Sequence, residues 1–233
     1  MWITNDLSTD QQIYKDIQTW YKKNNCQYIS FYPSEKDQTL NEKSVLQIIL
    51  IRHGDPEINK NGWFTYKSAR KYIQDYDKVG VKNIENPPVK LKDFQDVLIY
   101  SSSLYRAYDT SKNIFEENTE IKVDSSFIEF QREITPLPLI LPIKGWTTLS
   151  RFFWVIGLHS SDIPSFKSEK SRAEQNAVFL NKAANENKKV ILVAHGFLNK
   201  YIVKYLKEKG WDHSYDGGND YLAVQVMTKI VSK

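Results

Sequence analysis

Two runs of this chain are apolar almost without interruption: Leu46-Gln-Ile-Ile-Leu-Ile51 and Val190-Ile-Leu-Val-Ala194. A strand covered on both faces reads this way, because neither face needs polar residues. Val97-Leu-Ile-Tyr100 and Ile121-Lys-Val123 predict two further strands, and Tyr221-Leu-Ala-Val-Gln-Val-Met227 closes the sheet. Between these runs apolar residues recur at helical spacing. A helix is predicted over 9–24, with Ile13, Ile17, Trp20 and Tyr21 on one face and Ser8 or Thr9 as cap. Others are predicted over 66–78 (Tyr72, Ile73, Tyr76), 103–116 (Leu104, Ala107, Tyr108, Ile114, Phe115) and 146–157. Two more follow, over 168–186 (Ala173, Ala177, Val178, Leu180) and 197–209 (Leu198, Tyr201, Ile202, Tyr205, Leu206). One of Ser101, Ser102 and Ser103 is expected to cap the third helix, and Gly210 to end the last. Residues 32–43 read as loop, and 135–143, with three prolines, as irregular chain. Strands alternating with helices predict an α/β fold, a three-layer α/β/α sandwich with a mainly parallel central sheet.

Composition adds limits rather than chemistry. At 233 residues the chain suits one full core, and 41% hydrophobic with 26% charged residues is ordinary for a soluble globule. A net charge of +4 fits a lysine-rich solvated surface or attraction for anionic substrates. No basic block is long enough to suggest nucleic acid. Cys26 is the one cysteine, so no internal disulfide forms; it reads as a buried or incidental thiol. The first residues lack the basic and apolar regions of a signal peptide. No run approaches a membrane span, the nearest being Phe152-Phe-Trp-Val-Ile-Gly-Leu158, so the expected compartment is the cytoplasm. Four histidines without a Cys, His or acidic cluster predict no metal site and no cofactor.

Chemistry enters where the two apolar runs stop. The first ends in Arg52-His53-Gly54 and the second in His195-Gly196. Ligands of open α/β sheets bind beyond the carboxyl ends of the strands, so two imidazoles are expected in one crevice. A neutral imidazole has one free lone pair, and a backbone carbonyl on its other nitrogen fixes ring and tautomer. His53 is therefore a candidate nucleophile. Arg52 and Arg106 offer planar donor forks for phosphate oxygens, and Arg106 falls in the first turn of a helix, where the dipole favours an anion. Gly196 leaves room for close backbone approach. The plainer alternatives are structural histidines at strand ends and an Arg106 on the surface of an amphipathic helix.

Arg52-His53-Gly54, Ser101-Ser-Ser-Leu-Tyr-Arg106-Ala-Tyr-Asp-Thr110 and Ala194-His195-Gly196, in that order, resemble the histidine phosphatase superfamily, the phosphoglycerate mutase-like proteins. The resemblance covers roughly residues 46–227 and implies that fold. It divides the chain into an N-terminal extension with an amphipathic helix (1–45) and a catalytic domain (46–233). It implies a hydrolase, a metal-independent phosphomonoesterase that works through a phosphohistidine on His53. His195 would stabilise charge on the transferring phosphoryl group. Asn59, six residues after His53, would sit near the phosphate, or simply make a loop turn. Gly54 and Gly196 would border the pocket. The family supplies a glutamate as proton donor between Arg106 and the second His-Gly; here Glu133 is favoured and Glu129 is the alternative. Two departures stand out. No Gly-x-x-Glu-Gly follows the acid; Pro136, Pro138, Pro142 and an aromatic helix, core or lid, stand in its place. Asp55-Pro56-Glu57 departs from the mutase-type pattern, which favours a phosphatase. A phosphomutase and a non-catalytic phospho-ligand binding module are the alternatives. The substrate is expected to be a small-molecule or protein phosphomonoester, with neither nucleic acid nor membrane as partner. Oligomeric state is not read from the sequence.

Overall fold

The computed structural model of the protein describes residues 9–24, 31–32, 43–89, 97–158, 160 and 162–232. Cys26, the Ser8 cap and most of the predicted loop over 32–43 lie outside the described residues. The elements run α1 (Thr9–Asn24), β1 (Lys43–Arg52), α2 (Tyr66–Tyr76), β2 (Leu98–Ser102), α3 (Tyr105–Ile114), β3 (Ile121–Asp124), α4 (Ile143–Val155), α5 (Phe166–Asn187), β4 (Lys189–Ala194), α6 (Gly196–Glu208), β5 (Asp212–Asp216) and β6 (Val224–Ser232).

One six-stranded sheet has the order β3-β2-β4-β1-β6-β5. The pairs β3–β2, β2–β4 and β4–β1 are parallel, while β6 runs antiparallel to both β1 and β5. The two apolar runs are the two central neighbours, β1 and β4. Leu46, Ile48 and Leu50 of β1 join Leu192, Ala173, Ala177, Leu198 and Ile202 in one core, under α5 and α6. Val45, Ile49 and Ile51 face the other way, toward Ile191, Val226, Ile114 and, from α1, Ile13, Ile17 and Tyr21. The period of two along β1 thus sends alternate residues into two apolar layers, which makes the α/β/α sandwich. Buried Gln47 is satisfied on the α1 side, its Nε2 donating to the Tyr21 hydroxyl (2.8 Å). The N-terminal helix is therefore packed on the sheet rather than free of it.

A third cluster covers the crevice end. Ala69, Tyr72, Ile73 and Tyr76 of α2 pack on Ile134, Ile143 and Trp146. The Trp146 indole donates to the Phe64 carbonyl (2.7 Å), and Phe64 pairs with Leu141 in an isolated bridge. Helix α4 answers the core-or-lid question on two faces. Trp146, Ser150 and Trp154 are buried at i, i+4 and i+8, whereas Phe152, Val155 and Ile156 are exposed.

Two expectations differ from the structure. Strand β5, Asp-His-Ser-Tyr-Asp, was not expected, because an edge strand with one neighbour needs little apolar pattern. No serine caps α3: its cap position is Leu104, and the Ser102 hydroxyl instead accepts from the Leu104 N–H (3.3 Å) and meets His195. Among the described residues no helix is long and apolar enough to cross a membrane.

Candidate active site

The register of the two central strands sets Arg52 opposite Ala194, so the residues that follow, His53 and His195, leave the sheet side by side. The His53 N–H donates to the Ala194 carbonyl (2.9 Å), which continues the ladder one residue further. The two imidazole centroids are 5.1 Å apart. Both rings are buried, at 3% and 0% exposure.

His53 Nδ1 lies 2.8 Å from the Gly54 carbonyl oxygen. A carbonyl only accepts, so Nδ1 carries the proton. Burial, and then the Arg106 guanidinium, push the His53 pKa well below the ordinary imidazole value. The ring is therefore neutral with a bare Nε2, which accepts from Arg106 Nε at 3.3 Å. Gly54 is held in place by its own N–H, which donates to Thr110 Oγ1 (2.9 Å); an added Cβ there would press on Val81 at 3.3 Å. His195 is also kept neutral, by burial first and then by Arg106. Its Nε2 is 2.8 Å from Ser102 Oγ, and its buried Nδ1 has no partner among the described residues.

Arg106, in the first turn of α3, is 1% exposed. Its Nη1 pairs with Asp77 (2.8 Å) and its guanidinium lies over the Tyr76 ring (4.7 Å). Arg132 lies over the same ring at 4.8 Å. Arg106, Arg132, Asp77 and Glu129 border a cavity of about 200 Å³. Sequence reasoning passed over Arg132 and Tyr76, and also Tyr221, whose ring centroid is 5.6 Å from that of His53. The tyrosines read as core stripe and strand residues, and Arg132 as the neighbour of a candidate acid.

The remaining site candidates are spread more widely. Arg52 turns away from this cavity. Its guanidinium lies over Tyr221 (4.4 Å), its Nη1 donates to the Asn219 carbonyl, and it rests so close to Gly196 that an added Cβ would meet Cδ and Nε at 3.2 Å. Glu129 borders the Arg106 cavity, and its carboxylate accepts from the N–H groups of Phe130 (2.9 Å), Leu198 (3.0 Å) and Phe197 (3.2 Å), capping α6 directly after His195. The Glu133 carboxylate is turned elsewhere and accepts from the Ser160 N–H (3.3 Å). Asn59 is exposed, and its Oδ1 accepts from the Asn61 N–H (2.9 Å), the turn geometry that was its plainer reading. Among the described residues no group of three or more His, Cys, Asp or Glu side chains is placed to hold a metal ion.

A buried histidine pair at the ends of two parallel strands, with an arginine on one ring nitrogen, is an arrangement whose donors could receive an anion. Residues 48–135 match the family model of the histidine phosphatase superfamily (branch 1), so the resemblance read from the motifs holds over that span. No curated protein matches the chain. Among solved structures it is similar to a mycobacterial glucosyl-3-phosphoglycerate phosphatase, at 17% identity over 79% of this chain and 90% of that one, with a TM-score of 0.48. A phosphoserine phosphatase from Entamoeba histolytica, solved with 3-phosphoglyceric acid, is 18% identical over 80% of this chain and 95% of that one, with a TM-score of 0.45. An ecdysone phosphate phosphatase from Bombix mori, solved with tungstate, is 14% identical over 81% and 92%, with a TM-score of 0.45.

Proposed function

We propose that the protein is a phosphomonoesterase that transfers the phosphoryl group to Nε2 of His53 and then to water. The observation that carries this reading is the state of the His53 ring: neutral, locked by Gly54 through Nδ1, and bare at Nε2. In the free protein that lone pair is occupied by Arg106 Nε–H. An arriving phosphate dianion takes over the arginine as its own donor and so uncovers the nucleophile. Arg106, with Arg132 over the same Tyr76 ring, supplies the positive field. The orphaned Nδ1 of His195 is the ring position left to meet a phosphoryl oxygen. This chemistry needs no metal, so hydrolysis of p-nitrophenyl phosphate should persist in EDTA. A phosphomonoester substrate of small-molecule or protein type fits this reading equally.

For the proton donor the geometry favours Glu129 over Glu133, because only Glu129 borders the cavity that holds Arg106. Leaving-group dependence separates them. The p-nitrophenolate ion departs unprotonated, whereas an alkoxide needs a proton. Glu129→Gln should lower kcat for glycerol 2-phosphate by about 100-fold or more while moving p-nitrophenyl phosphate only a few-fold. Glu133→Gln should change both equally and little. The reverse pattern would move the role to Glu133.

The depressed His53 pKa also has a sign. A nucleophile must be unprotonated, so the acid limb of kcat/KM should lie below the free-imidazole value of about 6.5. Stability should behave differently. Both histidines resist protonation in the folded state, whereas the unfolded chain binds those protons below about pH 6.5. That stability is complete above this pH and is lost as pH falls. Thermal unfolding midpoints should therefore drop from about pH 6.5 downward while kcat/KM holds; parallel declines would contradict neutral histidines.

A further inference from the structure

Helix α4 and the chain leading into it carry an apolar surface that the fold leaves bare. Among the described residues twelve large apolar side chains are exposed, and seven share this region: Trp63, Leu139, Ile140 and, on α4 or just beyond it, Phe152, Val155, Ile156 and Leu158. The bridge between Phe64 and Leu141 joins its two pieces, setting Trp63, 73% exposed, beside the loop that carries Ile140, 62% exposed. Along α4 the exposed stripe runs through Lys144, Thr148, Phe152, Val155 and Ile156 at helical spacing, away from buried Trp146, Ser150 and Trp154. An open apolar cavity of about 780 Å³ lies at Leu141, Pro142, Leu149 and Phe152, with Lys144 in its lining. Apolar residues exposed singly need no explanation, whereas a contiguous patch marks an interaction surface.

Charge points to what rests on it. The two segments that build the face, 58–74 and 134–161, contain no Asp or Glu; the acids nearest in the chain, Glu57, Asp75, Glu133 and Asp162, stand at their ends. Their cations are of two kinds. Lys60 is paired with Asp55, and Arg151 lies over the Trp154 ring at 5.0 Å. Lys67, Arg70, Lys71 and Lys144 are exposed, and among the described residues none of them has a carboxylate within 4 Å. The first three lie on α2, which packs against Ile143 and Trp146 of α4. A second copy docked here about a twofold axis would set these cations against themselves, with no acid in either segment to answer them. An anionic lipid surface answers both parts of the pattern, since tryptophan and aliphatic side chains enter the headgroup boundary while lysine and arginine meet the lipid charge. We propose that this face rests on the surface of an anionic bilayer, with Trp63, Ile140, Phe152 and Ile156 entering the interface and Lys67, Arg70, Lys71 and Lys144 meeting the headgroups. Such a face lies on a membrane without crossing it, which revises the expectation of no membrane partner.

Vesicle flotation of the full chain tests this, with phosphatidylcholine alone and with phosphatidylcholine containing about 30% phosphatidylserine. The wild type should float with the anionic vesicles and bind the neutral ones about tenfold more weakly. Ile140→Ser/Phe152→Ser/Ile156→Ser should bind anionic vesicles about tenfold or more weakly than the wild type. Lys67→Gln/Lys71→Gln/Lys144→Gln should lose the preference for phosphatidylserine. All six side chains are exposed, so the thermal unfolding midpoint of each variant should stay close to that of the wild type. The proposal is overturned if the wild type stays unbound at millimolar lipid, binds neutral vesicles equally well, or is matched by the apolar variant. Sedimentation tests the other occupant: a wild-type dimer that the apolar variant turns into monomers would assign the face to a second copy instead of a bilayer. Vesicle binding needs no turnover, so its outcome is separate from that of the phosphatase reading.

Discussion

Replacing His53 with alanine should reduce turnover of p-nitrophenyl phosphate by about 10⁴-fold or more, the scale of loss when a covalent nucleophile is removed. The argument is structural as well as chemical. Arg106 Nε is aimed at Nε2 of His53, whereas Nε2 of His195 meets Ser102 instead. Wild-type enzyme quenched in mid-turnover should carry one phosphate that is labile to acid and stable to base, as a phosphoramidate is. His53→Ala should carry none. A phosphate label that survives in the variant would place the covalent chemistry elsewhere. His195→Ala serves as the comparison. It should slow turnover by a smaller factor, because it removes stabilisation of developing charge rather than the bond-forming atom. Thermal unfolding of each variant separates loss of chemistry from loss of fold.

The parts of this centre that sequence could reveal are those encoded in contiguous chain. An apolar run followed by His-Gly states both a buried strand and what stands at its end, and β1 and β4 say this twice. The run Ser101 to Thr110 places Arg106 in a first turn by the same local logic. Pairing of the two histidines rests on β1 and β4 being neighbours, which the twin strand-His-Gly pattern suggested and the strand register fulfils. Tyr76, Arg132 and Tyr221 were out of reach for a physical reason. They arrive from α2, an irregular loop and a turn, and an aromatic ring over a guanidinium looks, in sequence, like any core residue. Glu129 and Glu133 differ by four positions in chain lacking regular structure, so no periodicity says which one turns inward. Strand β5 escaped because edge pairing rests on backbone hydrogen bonds, to which a pattern of side chains is indifferent.

Arg106→Ala should lower kcat/KM by about 10³-fold, at the upper end of what one positioned donor to a developing anion contributes. A surface arginine would cost far less, and the difference lies in three contacts. The guanidinium is buried, donates to His53 Nε2, and is fixed by Asp77 and Tyr76, so it would meet a phosphate already oriented. Arg106→Lys retains the charge but not the planar fork, and should recover only part of the loss. Vanadate affinity should fall in the same order, alanine below lysine below wild type. A second readout separates this role from a merely structural one. Arg106 is the foremost charge that depresses the His53 pKa, second only to burial. Its removal should therefore raise that pKa and shift the acid limb of kcat/KM toward higher pH, while Arg106→Lys holds the limb near the wild-type position. A Arg106→Ala profile with an unmoved acid limb would mean that the titrating group is not His53, even if activity is lost. A limb that moves upward together with weaker vanadate binding ties nucleophile and phosphate site to one guanidinium.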